Sequence, residues 1–234
     1  MDRLNLSQYS RLNFALWLAL SFQAGFINVG GFLACHRFVT HTTGFATQFG
    51  AEIAQNHYLT AAGSVSVPLF FLIGAMISGF FIDRRVAQGS RPRYTLIFAL
   101  IAGLLISVTL LGQGGFFGEF GSALDIRLDY TLLALLCLAS GLQNAAITSA
   151  SGATIRTTHL TGLTTDLGIG LVRIFSHHPK AQPEKLATLI RICLISGFVL
   201  GSTVGAFAFL RYDYFGFLVP GMISVMLLAM GLRR

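Results

Sequence analysis

Six apolar runs, at about Phe14–Leu33, Val65–Ile82, Tyr94–Leu111, Tyr130–Ala150, Leu186–Leu210 and Phe215–Leu232, dominate this 234-residue chain. Crossing about 30 Å of hydrocarbon takes roughly 20 helical residues, and in lipid each backbone N–H and C=O must be satisfied within a helix or a closed barrel. The runs are continuous and rich in Leu, Ile, Ala and Gly, which predicts helices; barrel strands would be short and alternating. With 54% hydrophobic and 11% charged residues the chain lacks the charge to clothe a soluble surface. The expected fold is therefore all-α, a polytopic membrane protein with six transmembrane helices. The first run continues past Ala24 into Gly-rich sequence and has a counterpart in Tyr130–Ala150, so it is read as a retained helix and not a cleaved signal.

The formal net charge of +7 does not mark a nucleic-acid face, because the basic residues lie between spans. With the N-terminus inside, cytoplasmic segments hold Arg3, Arg11, Arg84, Arg85, Arg91, Arg93, Arg156, Arg173, Lys180, Lys185, Arg233 and Arg234, and Arg191 falls on the same side. External segments hold only Arg37, Arg127 and Arg211. The positive-inside rule then puts both termini in the cytoplasm. Cys35, Cys137 and Cys193 lie in or near apolar spans without metal-like spacing and read as packing residues; no metal or cofactor is expected.

One phrase occurs twice. Thr40-His41-Thr42-Thr43-Gly44-Phe45-Ala46-Thr47-Gln48-Phe49-Gly50 returns 118 residues later as Thr158-His159-Leu160-Thr161-Gly162-Leu163-Thr164-Thr165-Asp166-Leu167-Gly168. Each copy follows a span carrying Gly-x-x-Asn, Gly25 with Asn28 and Gly141 with Asn144, and precedes a glycine-bearing span. Three spans per half force related halves into opposite orientations. The organisation expected is a 3+3 inverted repeat within one integral membrane domain: residues 1–112, an external linker 113–129, and residues 130–234, with a re-entrant or broken helix segment after the first helix of each half. Paired polar interruptions in related halves point to a substrate site.

After each motif the apolar spacing becomes helical, at Phe45, Phe49 and Ile53 and at Leu163, Leu167, Leu171 and Ile174. Each motif thus starts a helix, with Thr43 and Thr161 as expected N-caps and Gly44 and Gly162 leaving first-turn amides open. Such ends favour an anion or carbonyl oxygen, and inverted symmetry aims the two at one midplane site. The candidate substrate-binding residues are Asn28, Thr40, His41, Thr43, Gly44, Gln143, Asn144, Thr158, His159, Thr161 and Gly162, with Arg37 and Arg156 as nearby charges. Asp166 is the candidate coupling residue, since an ionisable group at membrane depth is costly; an ion pair with Arg173 or Arg156 is the structural alternative. Gln48 is its counterpart and Glu52 lies one turn beyond. Gly74, Gly79, Gly197, Gly201 and Gly205 read as helix-packing residues, Pro68 and Pro220 as kinks, and His36, His57, His177 and His178 as solvated.

The chain resembles a YoaK-like family of small bacterial inner-membrane proteins catalogued as domain of unknown function 1275. The resemblance is carried by Ala24-Gly25-x-x-Asn28-x-x-Gly31-Phe32, Thr43-Gly44, Gly141-Leu142-Gln143-Asn144-Ala145 and Thr158-His159-Leu160-Thr161-Gly162-x-x-x-Asp166-Leu167-Gly168. It implies a multi-span membrane protein of about this size and no particular substrate. Family members are usually acidic at the position of Asn28 and usually carry asparagine at that of Phe45. The function expected is a non-enzymatic transporter or permease for a small anion or polar metabolite, a homodimer in the lipid bilayer. The alternatives are a channel or an intramembrane enzyme using His41, His159 and Asp166, although no His-Glu-x-x-His or Gly-x-Ser-x-Gly pattern is present.

Overall fold

A computed structural model describes residues 10–122, 125–153, 155–176 and 181–232. The expectations for Arg3, His177, His178, Lys180, Arg233 and Arg234 lie outside these residues. Among the described residues every element is helical: α1 (Arg11–Cys35), α2 (Thr42–Ala54), α3 (Tyr58–Phe81), α4 (Asp83–Ala87), α5 (Tyr94–Gln113), α6 (Ile126–Ala150), α7 (Leu160–Phe175), α8 (Ala181–Tyr212) and α9 (Leu218–Leu232), with a 3₁₀ turn at Asp213–Phe217. The first helix of each half has a polar start. Ser10 Oγ accepts from the Asn13 amide at 3.0 Å, and Asp125 Oδ1 accepts from the amides of Arg127 and Leu128. His36, at φ 54°, ends α1 in the left-handed conformation.

Among the described residues, five helical stretches are long and apolar enough to cross a membrane: Arg11–Cys35, Tyr58–Ala87, Tyr94–Gln113, Ile126–Ala150 and Ala181–Met230. The expected fifth and sixth spans fall in the last of these, divided by the 3₁₀ turn into α8 and α9. With 15 residues, α9 rises about 22 Å, less than the ~30 Å of hydrocarbon. Pro220 occupies its third position, in the first turn, where a missing N–H costs little.

The main contacts join the halves: α1 packs along α8, α3 along α6 and α5 along α9, while α2 rests on α3 and α7 on α8. Small residues set these pairings. A Cβ on Gly25 would strike the Phe198 carbonyl oxygen and one on Gly201 that of Phe22; likewise Gly141 faces the Phe71 carbonyl and Gly74 that of Leu138. Each of the four helices thus offers a carbonyl and, three residues later, a glycine, and each glycine receives its partner's carbonyl. Hydroxyls add bonds across the same seams, Ser78 Oγ donating to Leu142 O at 2.7 Å and Ser202 Oγ to Gly25 O at 3.2 Å. Gly197 and Gly205 also meet α1, at Leu18 and at Phe26 and Val29, whereas a Cβ on Gly79 would meet only the Asp83 carboxylate of the short α4.

The order of contacts gives the directions. Leu18, Phe22 and Phe26 meet Gly197, Gly201 and Gly205 in turn, so α1 and α8 run parallel. The sequence Tyr130 at Gly63, then Leu138 and Leu142 at Gly74, makes α3 and α6 parallel as well. Cys35 Sγ reaches Asp129 O and Gln143 Nε2 reaches Leu20 O, so α6 is antiparallel to α1. The core between these helices is built on Trp17, Phe26, Phe209 and Phe217, all fully buried, with Phe209 against Phe26 and Phe217 at centroid distances of 5.2 and 4.6 Å.

Candidate functional site

Both Thr-His motifs lie on segments that fold back into the bundle. After α1 ends at Cys35, the chain returns along it until Thr40 is level with Asn28: the Thr40 amide and hydroxyl both donate to Asn28 Oδ1 at 3.1 Å. Val39 is buried beneath Gly31, where a Cβ would overlap its side chain, and Cys137 Sγ donates to its carbonyl at 2.9 Å. The second half repeats this, with Thr158 Oγ1 donating to Asn144 Oδ1 at 3.1 Å after α6 ends at Ala150. The asparagine of each Gly-x-x-Asn therefore anchors the loop that follows it. Their oxygens face the loop threonines, which accounts for a polar residue inside an apolar span.

Both helices begin two residues earlier than the threonine spacing suggests. His41 and His159 occupy the N-cap positions of α2 and α7, neither with a side-chain capping bond, and their carbonyls accept from Gly44 and Phe45 and from Leu163. Thr43 and Thr161 lie inside the first turn, exposed, instead of capping it; their carbonyls accept from Thr47 and Thr165 hydroxyls at 3.1 and 3.0 Å. Gly44 and Gly162 serve the imidazoles more than any ligand: a Cβ at either would come within 2.7 Å of the preceding histidine's Nδ1. The motif glycine is thus a seat for the histidine ring.

A cavity of about 400 Å³ joins the two motifs. Thr40 and Thr42 of the first and Arg156, Thr158 and His159 of the second line it, together with Asn144, Thr148, Ser149, Asp83, Ala145 and Phe71. Asp83, Arg156 and His159 are exposed to it, and Asp83 Oδ2 accepts from Ser149 Oγ at 2.8 Å. His41 instead faces a separate hollow of about 330 Å³, lined by Phe38, Gly44, Phe45, Thr47 and Gln48, residues of the first motif and α2 with Phe38. The two imidazoles therefore do not meet in one site. Four residues after Asn28 stands Phe32, where Thr148 follows Asn144; two before Thr40 stands Phe38, where Arg156 precedes Thr158. These phenylalanines stack on each other, centroids 4.6 Å apart and planes 9° from parallel. Polar cavity wall in one half is thus an aromatic pair in the other.

Several expected participants are elsewhere. Gln143 is buried between helices and donates to Leu20 O at 2.8 Å. Asp166 is exposed on α7 and makes no ion pair or hydrogen bond among the described residues. Arg173 binds Glu184 at 3.0 Å and Arg191 binds the same carboxylate, so neither is Asp166's partner. Arg191 is thereby held by a carboxylate of its own helix. On the first half, Glu52 accepts from Ser64 Oγ at 2.7 Å and pairs with Arg37 at 3.5 Å. Glu184 and the cavity residues Asp83, Thr148 and Ser149 were not singled out from sequence; each lies in or beside a soluble-looking segment or at a span's end, where charge and hydroxyls are unremarkable.

No curated protein and no solved structure matches the chain. The family model described as "Protein of unknown function (DUF1275)" matches residues 16–231, a stretch that includes both asparagine-anchored loops, both helix starts and the cavity between them. The chain belongs to that family.

Proposed function

We propose that the protein is a small inner-membrane transporter or permease for a small anion or polar metabolite, built as a 3+3 inverted repeat and open at one end. The observation that carries this reading is the cavity shared by Thr40 and Thr42 of one motif and Thr158 and His159 of the other. Two returning segments, each anchored to an asparagine within the bundle, bring polar groups and uncapped helix starts to one place. The recurring carbonyl-glycine contacts of α1 with α8 and α3 with α6 support an inverted repeat. The cavity lies beside α4, next to Arg84 and Arg85, so the basic end of the bundle is the cytoplasmic one. The stacked Phe32 and Phe38 close the corresponding position at the other end, and alternating access exchanges the two. A homodimer buries part of the outward faces of α2 and α7.

Purified protein in liposomes tests this. Uptake of the transported solute saturates with concentration and falls at least about tenfold when Thr40→Val and Thr158→Val remove both anchored hydroxyls, each worth roughly one hydrogen bond to the loop and site. A cysteine in place of Thr40 reacts with a membrane-impermeant thiol reagent from the cytoplasmic side alone, and from both sides once Phe38→Ala opens the stack. Flux that rises linearly without saturation assigns a channel. The enzyme alternative has less support, because His41 and His159 line separate hollows.

A further inference from the structure

We propose that the cavity between the two return loops binds a small zwitterion, its ammonium group on Asp83 and its carboxylate on Arg156. The inference rests on the reading of that cavity as the substrate site and narrows the class of solute.

Two opposite charges line one cavity of about 400 Å³ without an ion pair within 4.0 Å between them. Each is also left available by its neighbours. Asp83 lies in a run of arginines, yet Arg84 turns its guanidinium over the Phe80 ring, 4.7 Å from the centroid, and Arg85 Nε donates to Arg91 O at 2.8 Å. Among the described residues, the one side-chain bond Asp83 makes is from the Ser149 hydroxyl, which leaves carboxylate acceptor capacity unused. Arg156 has no hydrogen bond, ion pair or ring contact among the described residues, so its planar fork is free to take a carboxylate by two parallel bonds.

This arrangement discriminates by charge pattern. An anion without an ammonium group meets Arg156 but is repelled by Asp83, and a simple cation meets the reverse. A neutral solute displaces water from both charges and returns a countercharge to neither. A molecule carrying both signs satisfies both, and its remaining atoms face Thr148, Thr158 and Asn144 on one wall and Phe71 on another. The volume is at the lower end of the range for small-molecule sites, which suits a solute of amino-acid size.

The experiment compares α- and ω-amino acids with their N-acetyl derivatives, which keep only the carboxylate, and their methyl esters, which keep only the ammonium. Binding to the full chain in nanodiscs is measured by calorimetry, and saturable uptake into liposomes is measured in parallel. At least one zwitterion is expected to bind at least about tenfold more tightly than both of its derivatives, since a charge-assisted bond is lost in each. Asp83→Asn then abolishes the preference over the N-acetyl derivative, Arg156→Gln abolishes the preference over the ester, and Arg84→Gln leaves both preferences intact. The derivative series on the unaltered protein gives a result even if a variant does not fold. Saturable uptake of an acetyl derivative or a simple anion with equal affinity overturns the zwitterion assignment and leaves the transport reading in place. Non-saturating flux with no binding by any probe overturns both.

Discussion

Replacing Gly25 with alanine tests how the halves are joined. A Cβ there would lie closer than 3.0 Å to the Phe198 carbonyl oxygen, and no flexible side-chain end is available to yield. The α1 and α8 backbones must part by roughly 1 Å, losing close packing and the Cα–H···O contacts that the glycine permits, an overpacking cost of about 1–3 kcal/mol. Alanine's higher helix propensity returns at most about 1 kcal/mol. Gly50 supplies the control: nothing lies within 4 Å of a Cβ built on it, so Gly50→Ala reports propensity alone and should stabilise. Unfolding monitored by tryptophan fluorescence, with Trp17 fully buried, should place Gly25→Ala about 1–3 kcal/mol below Gly50→Ala. Because Gly201 receives a carbonyl on the same seam, Gly25→Ala with Gly201→Ala should cost less than the two separately, the helices having already parted. Gly25→Ala with Gly141→Ala, on different helix pairs, should be nearly additive. Equal stability of Gly25→Ala and Gly50→Ala would refute the close-approach argument.

Three further outcomes follow from named contacts. Asn144→Leu removes the acceptor for Thr158 Oγ1 and should cost about 1–2 kcal/mol, with faster hydrogen exchange confined to residues 155–160. Glu184→Gln leaves Arg173 and Arg191 without their carboxylate; Arg173 is 41% exposed and stays solvated, so the loss of about 1–3 kcal/mol comes chiefly from Arg191, measurable in the same unfolding assay. Asp166→Asn, at an exposed and unpaired position, should change stability by less than about 0.5 kcal/mol while abolishing uptake driven by a proton or cation gradient, so a variant with undiminished gradient-driven uptake removes Asp166 as the coupling residue.

The helical architecture was legible because lipid leaves few options: long apolar runs marked α1, α3, α5, α6 and α8, and the resumption of helical spacing after each motif marked α2 and α7. The extent of α3 back to Tyr58 was not, since Tyr58–Ser64 is only modestly apolar while its helical bonds are nonetheless made. The pairing of Gly25 with Asn28 and of Gly141 with Asn144 pointed to related interruptions, but not to what the asparagines do; holding Thr40 and Thr158 is a contact across a turn that spacing alone does not reveal. Composition also hid the reason for the motif glycines. An open amide and a seat for imidazole both call for a missing Cβ, and only the position of the His41 and His159 rings separates them. Asp83 was hidden by its arginine neighbours, which in one dimension look like partners and in space point away.

The reciprocal seams have a consequence for how the chain is made. The main partner of the first helix, α8, is synthesised after more than 140 intervening residues, and α3 likewise waits for α6. Newly inserted α1 and α3 must therefore persist in the bilayer with their small-residue faces unmatched until α8 and α6 follow them. The arrival of α8, and not the completion of the first three spans, sets the moment at which α1 gains its main partner.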